Sequence, residues 1–269
     1  MSVDHYENFP VASLLLPPAL RAPVAAIYHF ARAADDIADE GDASPQERLD
    51  GLEAFVVGLD EIEVGKTPEH PVLHALSSVI VQHGLPIQLF RDLLDAFTQD
   101  VRQQRYANYP ELLLYCRHSA NPVGRLVLLL AGVPTPQELK QSDAICTALQ
   151  LINFWQDVAI DWQKGRLYLP ETDLRTFGVT EAEIAAGTLT AAWKDLMAFE
   201  IARSRALMES GAPLVRALTG RLGWEIRLTV QGGLRILEKI EAVEYDVFHR
   251  RPTLRLPDWF RMFWRACKM

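Results

Sequence analysis

Apolar residues return at steps of three and four along nearly the whole chain, the repeat of an amphipathic helix. No stretch alternates apolar and polar residues long enough to make a strand. The first helix is expected from about Ala19 to Asp39, after Pro17-Pro18, with Ala22, Ala25, Ala26, Phe30 and Ala33 as small and apolar contacts and Gly41-Asp42 as its stop. Ser44-Pro45-Gln46-Glu47 combines a capping serine, a proline at the first helical position and an acidic first turn, so a second helix should run to about Val57. Helices also fit Pro71 to Gln82 and Pro86 to Arg105, with His83-Gly84 between them. Tyr109-Pro110-Glu111 opens another that reaches Tyr115, and Pro122-Val123-Gly124 lies within or beside the apolar run ending at Gly132, where small residues allow close helix approach. Pro136 starts the longest central helix, through Leu139, Ile145, Leu149 and Ile152 to about Trp162. Pro170 to Phe177 reads as a loop or short helix and Thr180 caps a brief turn. Ala191 to Met208 and Leu222 to Val243 return to helical spacing, and Leu256-Pro257-Asp258-Trp259 opens a short amphipathic tail. The expected fold class is all-α, one helical bundle over residues 1–269 whose core can house a ligand between facing helices. No low-complexity linker, composition shift or solenoid-length repeat divides it.

Charge and composition exclude some partners. With 27 basic against 35 acidic side chains the net charge is −8, so no global basic field invites nucleic acid. Met1 to Pro10 carries Asp4 and Glu7 and no basic run followed by an apolar stretch, which argues against a secretory signal. The longest apolar run, Leu126 to Val133, falls far short of the ~20 residues of a spanning helix. A cytoplasmic protein is expected. Cys116, Cys146 and Cys267 make no paired framework and no CxxC motif, and Cys146, on an apolar helical face, reads as a small core residue.

Two acidic stretches turn the bundle into a candidate site. Tyr28, Arg32, Asp35, Asp36 and Asp39 follow steps of three and four, so most share one stripe of the first helix. A solvated helix end with Arg32 paired to Asp36 would also explain them. Gln150, Asn153, Asp157 and Asp161 form a second polar stripe on a helix otherwise lined by Leu149, Leu151, Ile152, Phe154, Trp155 and Val158. That stripe needs a polar counterpart, either an internal hydrogen-bond network or a hydrated hard cation. Opposed, the pairs Asp35/Asp39 and Asp157/Asp161 would offer carboxylate oxygens suited to Mg²⁺ and the diphosphate it carries. Just beyond, Gly165-Arg166-Leu167-Tyr168-Leu169-Pro170 adds a cation and a phenol, which could equally serve the loop itself.

Four ordered segments, 28–40, Tyr115-Cys116-Arg117-His118-Ser119-Ala120-Asn121-Pro122-Val123-Gly124, 149–161 and 165–170, resemble the squalene/phytoene synthases, and the likeness spans about His5 to Arg251. The resemblance implies an isoprenoid-synthase bundle with a central apolar cavity. It implies Mg²⁺ held by Asp35, Asp39, Asn153, Asp157 and Asp161, and diphosphate or pocket roles for Tyr28, Arg32, Tyr115, Gly124, Gln150, Arg166, Tyr168 and Tyr245. Tyr245 precedes Phe248-His249-Arg250-Arg251, where the family often places a basic residue near the diphosphate.

Departures from the general family pattern look most like its hydroxysqualene synthase branch, of hopanoid and squalene biosynthesis. They are Ser119-Ala120-Asn121 in place of Val-Ala-Gly, Gln156 in place of an arginine, and Glu7 and Asn8 in place of basic and small polar residues. The last two reduce the positive charge needed for two diphosphates, which favours presqualene diphosphate, a substrate carrying one. Asn121 is then the candidate for holding the capturing water, or else a helix-packing amide. No GxGxxG segment follows a strand, which favours water over hydride. Two alternatives stay open: a head-to-head synthase joining two prenyl diphosphates, and a non-catalytic prenyl-binding or assembly protein. Pathway enzymes are candidate partners. Since substrate and product are lipids, Trp259-Phe260-Arg261-Met262-Phe263-Trp264 is a candidate contact with the inner face of a membrane, the other reading being packing on the bundle.

Overall fold

Caps and prolines set the helix starts. The computed structural model describes residues 16–132 and 134–269. Helix α1 (Pro18–Asp39) is followed by α2 (Pro45–Glu63), opened by the Ser44/Glu47 capping box with Pro45 in its first turn. Then come α3 (Pro71–His83), closed by the left-handed Gly84, and α4 (Gln88–Arg102). Asn108 caps α5 (Tyr109–Ser119), which leads through Ala120 into α6 (Asn121–Leu130). A Thr135/Glu138 capping box opens α7 (Pro136–Gln156), and α8 (Val158–Gln163) continues it. The short α9 (Glu171–Phe177) and α10 (Glu181–Ala185) precede the long α11 (Ala191–Gly211) and α12 (Gly220–Ala242), and α13 (Leu256–Ala266) ends the order. Among the described residues there is no strand, only an isolated bridge between Arg105 and Leu167.

Three boundaries differ from the sequence reading. Helix α2 runs past Val57 to Glu63 because Leu59 and Ile62 add another buried turn. Helix α4 starts at Gln88, with Ile87 as its N-cap, rather than at Pro86. The expected continuous helix from Pro136 to Trp162 is interrupted at Asp157, whose φ of −110° and ψ of 14° leave the helical well. The hydrogen-bond ladder survives there, with Asp157 N donating to Asn153 O and Asp161 N to Asp157 O, both at 2.9 Å. The stripe therefore bends without losing its face.

Two apolar clusters meet along α6 and α7. The first joins α1 to α4 and the inner face of α6, where Phe30 sets its ring edge-on against Phe90 at 5.5 Å and beside Phe55. Burying one such side chain stabilises by ~1.5–3 kcal/mol. The second gathers α5, α7, α11 and α12 around Trp155 and Trp193, with the Trp155 indole donating to Ser204 Oγ at 2.8 Å. Gly124 lets α6 approach α7: a Cβ there would lie 2.4 Å from Ser142 Oγ and 2.5 Å from Cys146 Sγ. A cavity of about 480 Å³ opens at the N-terminal end of α1, lined mainly by Leu20, Leu128, Leu130, Leu218 and Leu222 with Glu138. The far end of the same helix, about 28 Å away at 1.5 Å per residue, carries Asp35 and Asp39.

Candidate active site

The acidic end of α1 meets the loop that follows α8. Arg32 lies along α1 within 3.1 Å of Asp35, 2.7 Å of Asp36 and 2.6 Å of Glu40, so it neutralises the acids of its own helix. Asp39 instead points across to the loop, where it accepts from Lys164 Nζ at 2.5 Å and from Arg166. That loop is held by backbone bonds: Arg166 N donates to Asp161 O at 2.8 Å and Leu167 N to Gln104 O at 3.0 Å. Arg105 adds a clamp by donating to Gly165 O at 2.7 Å and pairing with Glu181. Burial alone would raise the Asp39 carboxyl, but the Lys164 hydrogen bond and the Arg166 charge outweigh it and hold Asp39 below its ordinary range.

At the α7–α8 bend, Asp157 forms a two-pronged pair with Arg251, Nε to Oδ1 at 2.5 Å and the second nitrogen to Oδ2 at 3.0 Å. Among the described residues no cation pairs with Asp161, one turn on, in this way. Burial and the neighbouring Asp157 push it up to about 7 against the opposing Arg166 and Lys164. Asp39 also acts on Asp161, so the two acidic stretches share one electrostatic field.

An aromatic wall stands behind these carboxylates. Tyr168 lies flat on Phe154, with ring centroids 3.7 Å apart and planes 6° from parallel, and Tyr106 and Tyr115 complete the cluster. The Tyr115 hydroxyl donates to Asp100 Oδ2 at 2.8 Å. Burial drives both the Tyr115 and Tyr168 phenols well above their ordinary range, with Asp100 adding to it. Asp100 itself is pushed up to about 7, by burial first and also by Asp35 and Asp39, against Tyr115 and Arg166.

The remaining expected residues divide. Tyr28, Gln150 and Asn153 are half-buried on α1 and α7, on the stripes the spacing assigns them. Asn121 is buried and accepts from Thr147 Oγ1 at 2.9 Å, a bond that ties α6 to α7. Gly124 acts at the same contact, as a packing residue. Tyr245 sits in a turn at a φ of 65°, its carbonyl accepting from the Trp193 indole at 3.0 Å. Gln156 does not face the acids: it is buried and its amide donates to Pro252 O. Glu7 and Asn8 lie outside the described residues.

Two partners escape the sequence reading. Asp100 follows Leu93 and Ala96 at 3-4 spacing on the buried face of α4, and an acid on such a face is a usable signal. Lys164 carries none, being one lysine before a glycine.

The donor set of Asp35, Asp39, Asn153, Asp157 and Asp161 consists of hard oxygens without thiolate or imidazole, which fits Mg²⁺ in kind. Among the described residues no three His, Cys, Asp or Glu side chains are gathered into a ready-made metal cluster. Instead Arg32, Lys164, Arg166 and Arg251 stand against the carboxylates that a cation would bind.

The strand-free helical bundle of the described residues is the all-α isoprenoid-synthase fold of the solved squalene synthase structures. Within it the chain belongs to the squalene/phytoene synthase family, whose sequence profile matches residues 3–258. It is 34% identical over 240 residues to the hydroxysqualene synthase of Sinorhizobium fredii, covering 87% of this chain and 80% of that protein. To the hydroxysqualene synthase of Zymomonas mobilis it is 40% identical over 181 residues, covering 66% and 59%. To the phytoene synthase of Arthrospira platensis it is 31% identical over 275 residues, covering 97% and 88%. Among solved structures, the squalene synthase HpnC of Alicyclobacillus acidocaldarius superposes with a TM-score of 0.83 at 37% identity, covering 90% of each chain.

Proposed function

We propose that this chain is a hydroxysqualene synthase, which ionises presqualene diphosphate and captures the rearranged cation with water. The observation that carries the ionising step is the convergence of Lys164 and Arg166 on Asp39 beside Asp157 and Asp161. A diphosphate leaving group develops negative charge, and preorganised cations there act where that charge appears. A divalent ion held by Asp35, Asp39, Asn153, Asp157 and Asp161 supplies Lewis-acid pull on the diphosphate when bound.

The chain's own residues do the rest. Arg166 and Lys164 present their charge to the departing oxygens. Loss of diphosphate leaves a cyclopropylcarbinyl cation, and the aromatic wall of Tyr115, Tyr168 and Phe154 excludes bulk water while it rearranges. With its carbonyl oxygen taken by Thr147, Asn121 has its amide NH₂ left to hold the one water that adds to the cation. The proton that water loses goes to the departing diphosphate.

Identity of 34–40% to two hydroxysqualene synthases supports the branch. So does the charge balance: among the described residues, Arg32, Lys164, Arg166 and Arg251 each already face a carboxylate, which leaves little positive charge for a second diphosphate. The second reading, a head-to-head synthase acting on two prenyl diphosphates, has the phytoene synthase likeness in its favour. Purified protein with Mg²⁺ is to be incubated with presqualene diphosphate and, separately, with farnesyl diphosphate. Hydroxysqualene from the first supports the proposal. Consumption of farnesyl diphosphate with none of the presqualene diphosphate sinks it. Asp35→Ala and Asp157→Ala should abolish turnover with an unchanged circular dichroism spectrum, whereas a prenyl-binding protein without catalysis would show no turnover to lose.

A further inference from the structure

Helix α13 is seated on the bundle by one face and leaves a second, apolar face uncovered. Met262 and Ala266 are buried, and Asp258 is gripped by Arg235 at 2.7 Å and Lys239 at 2.6 Å, both from α12. These anchors fix the rotation of the helix. Leu256, Trp259, Phe260, Phe263 and Trp264 then point outward, between 44% and 72% exposed. At 3.6 residues per turn they share one arc of about 140°. Trp224 of α12 stacks on Phe263 at 5.5 Å, extending the apolar surface onto the bundle. An arc of large aromatics left in water is unfavourable, and soluble proteins seldom carry one without a partner.

Charge identifies the partner. Residues 250–269 carry six basic side chains (Arg250, Arg251, Arg255, Arg261, Arg265 and Lys268) against the single Asp258. Their sum is +5, in a chain whose total is −8; Arg250, Arg251 and Arg265 face Asp246, Asp157 and Glu238, which leaves Arg261 and Lys268 to set the charge beside the aromatic arc. Arg261 and Lys268 border the aromatic arc, and the Lys268 ammonium lies 3.4 Å from the Trp264 ring centroid. Apolar aromatics flanked by cations on a short helix suit the boundary between acyl chains and anionic headgroups. A second copy would bring the same basic rim against itself in a two-fold contact, which like charges oppose.

We propose that the outward face of α13 docks the protein on an anionic lipid bilayer, with Phe260, Phe263 and Trp264 entering the interface and Arg261 and Lys268 meeting headgroups. This holds whichever prenyl diphosphate the site accepts. The test is flotation of the full chain with vesicles of phosphatidylcholine alone or mixed with phosphatidylglycerol. The protein should float with the mixed vesicles at least about tenfold better than with phosphatidylcholine and be released by salt. Its tryptophan emission should shift to the blue on binding. The double variants Phe260→Ser/Phe263→Ser and Arg261→Glu/Lys268→Glu alter exposed positions and should keep the wild-type melting curve while each loses about tenfold or more in binding. The proposal is overturned if the wild type stays at the bottom of the gradient, or if either variant floats like it. It is equally overturned if sedimentation shows a wild-type dimer that Phe260→Ser/Phe263→Ser converts to monomer, which would assign the face to a second copy.

Discussion

Replacing Glu200 by glutamine should leave stability nearly unchanged at pH 5 and raise it above pH 8. Glu200 is fully buried on α11, and its one cation, Arg203, sits 2.7 Å from it and 2.7 Å from Asp173, with the guanidinium 3.5 Å from the Tyr109 ring centroid. One positive charge thus serves two acids. Burial first, with Asp173 adding to it and Arg203 opposing, pushes Glu200 up to about 8 from an ordinary 4.5. A carboxyl raised in this way keeps its proton in the fold while the unfolded chain gives it up. Its contribution is therefore fully present below pH 4.5 and lost as pH rises through 8. At ~1.4 kcal/mol per unit, the difference of 3.5 units sets a ceiling of ~5 kcal/mol, and relaxation around the ion brings the expected gain of the variant to ~2 kcal/mol or more at pH 9. Glutamine copies the shape and the hydrogen bond of the protonated acid, so below pH 5 the two proteins should agree within ~1 kcal/mol. Urea unfolding at 25 °C from pH 5 to 9 measures both, and subtracting the curves removes the parallel slopes expected from Asp100 and Asp161. Curves that stay parallel across this range, or a variant weaker throughout, would refute the reasoning by showing an ionised Glu200 that stabilises Arg203.

The other expectations are local. Gly124→Ala should cost ~1–3 kcal/mol by thermal melting, because its Cβ meets Ser142 Oγ and Cys146 Sγ. A background carrying Ser142→Ala and Cys146→Ala should recover more than half of that loss, and an unchanged penalty would return Gly124 to the substrate wall. Arg166→Gln should lower kcat/KM for diphosphate release by ~10²–10³, whereas Lys164→Gln, whose side chain is 51% exposed against 16% for Arg166, should cost less than ~5-fold. Equal losses would show that burial does not decide the strength of these cations. Asn121→Gly should shift products from alcohol toward hydrocarbon and lower stability by ~1–3 kcal/mol through the unpaired Thr147 hydroxyl. An unchanged product distribution would leave Asn121 with its packing bond alone.

Much of this architecture is legible from local signals. Ser44-Pro45-x-Glu47 and Thr135-Pro136-x-Glu138 each write a cap and a first turn into four residues, and both helices begin there. The acidic stripes are legible because helical spacing places them, and the ladder carries that spacing through the bend at Asp157. The bend itself leaves no trace, since one residue's change of ψ alters neither composition nor period. Which cation each acid takes is not legible, for a different reason. Asp39 finds Lys164 and Arg166 at separations of 125 and 127 residues, and Asp157 finds Arg251 at 94. Only the folded chain brings such positions together: the end of α1 meets the loop after α8, and the segment after α12 returns to the α7–α8 bend. Gln156 shows the converse: it sits inside an acidic motif, yet its side chain turns inward to Pro252.

Where the cations fall also explains which carboxylates stay ionised. Asp39, with two basic partners, is held below its ordinary range despite burial, whereas Asp161 and Asp100, with none of their own, rise to about 7. The fold thus supplies enough positive charge for some of its site acids and not for all. A diphosphate entering alone would add negative charge to a region already short of cations, and the Coulomb cost rises as water is excluded. Lys164 and Arg166 cannot serve the diphosphate fully while Asp39 holds them both. An oxygen-only donor set short of positive charge therefore favours a diphosphate that arrives with its own divalent cation. Under the proposed function, the acids on α1 and at the α7–α8 bend would be a counter-charge for the cation more than a contact for the substrate, and the basic loop between them would be the part of the chain left to meet the leaving group.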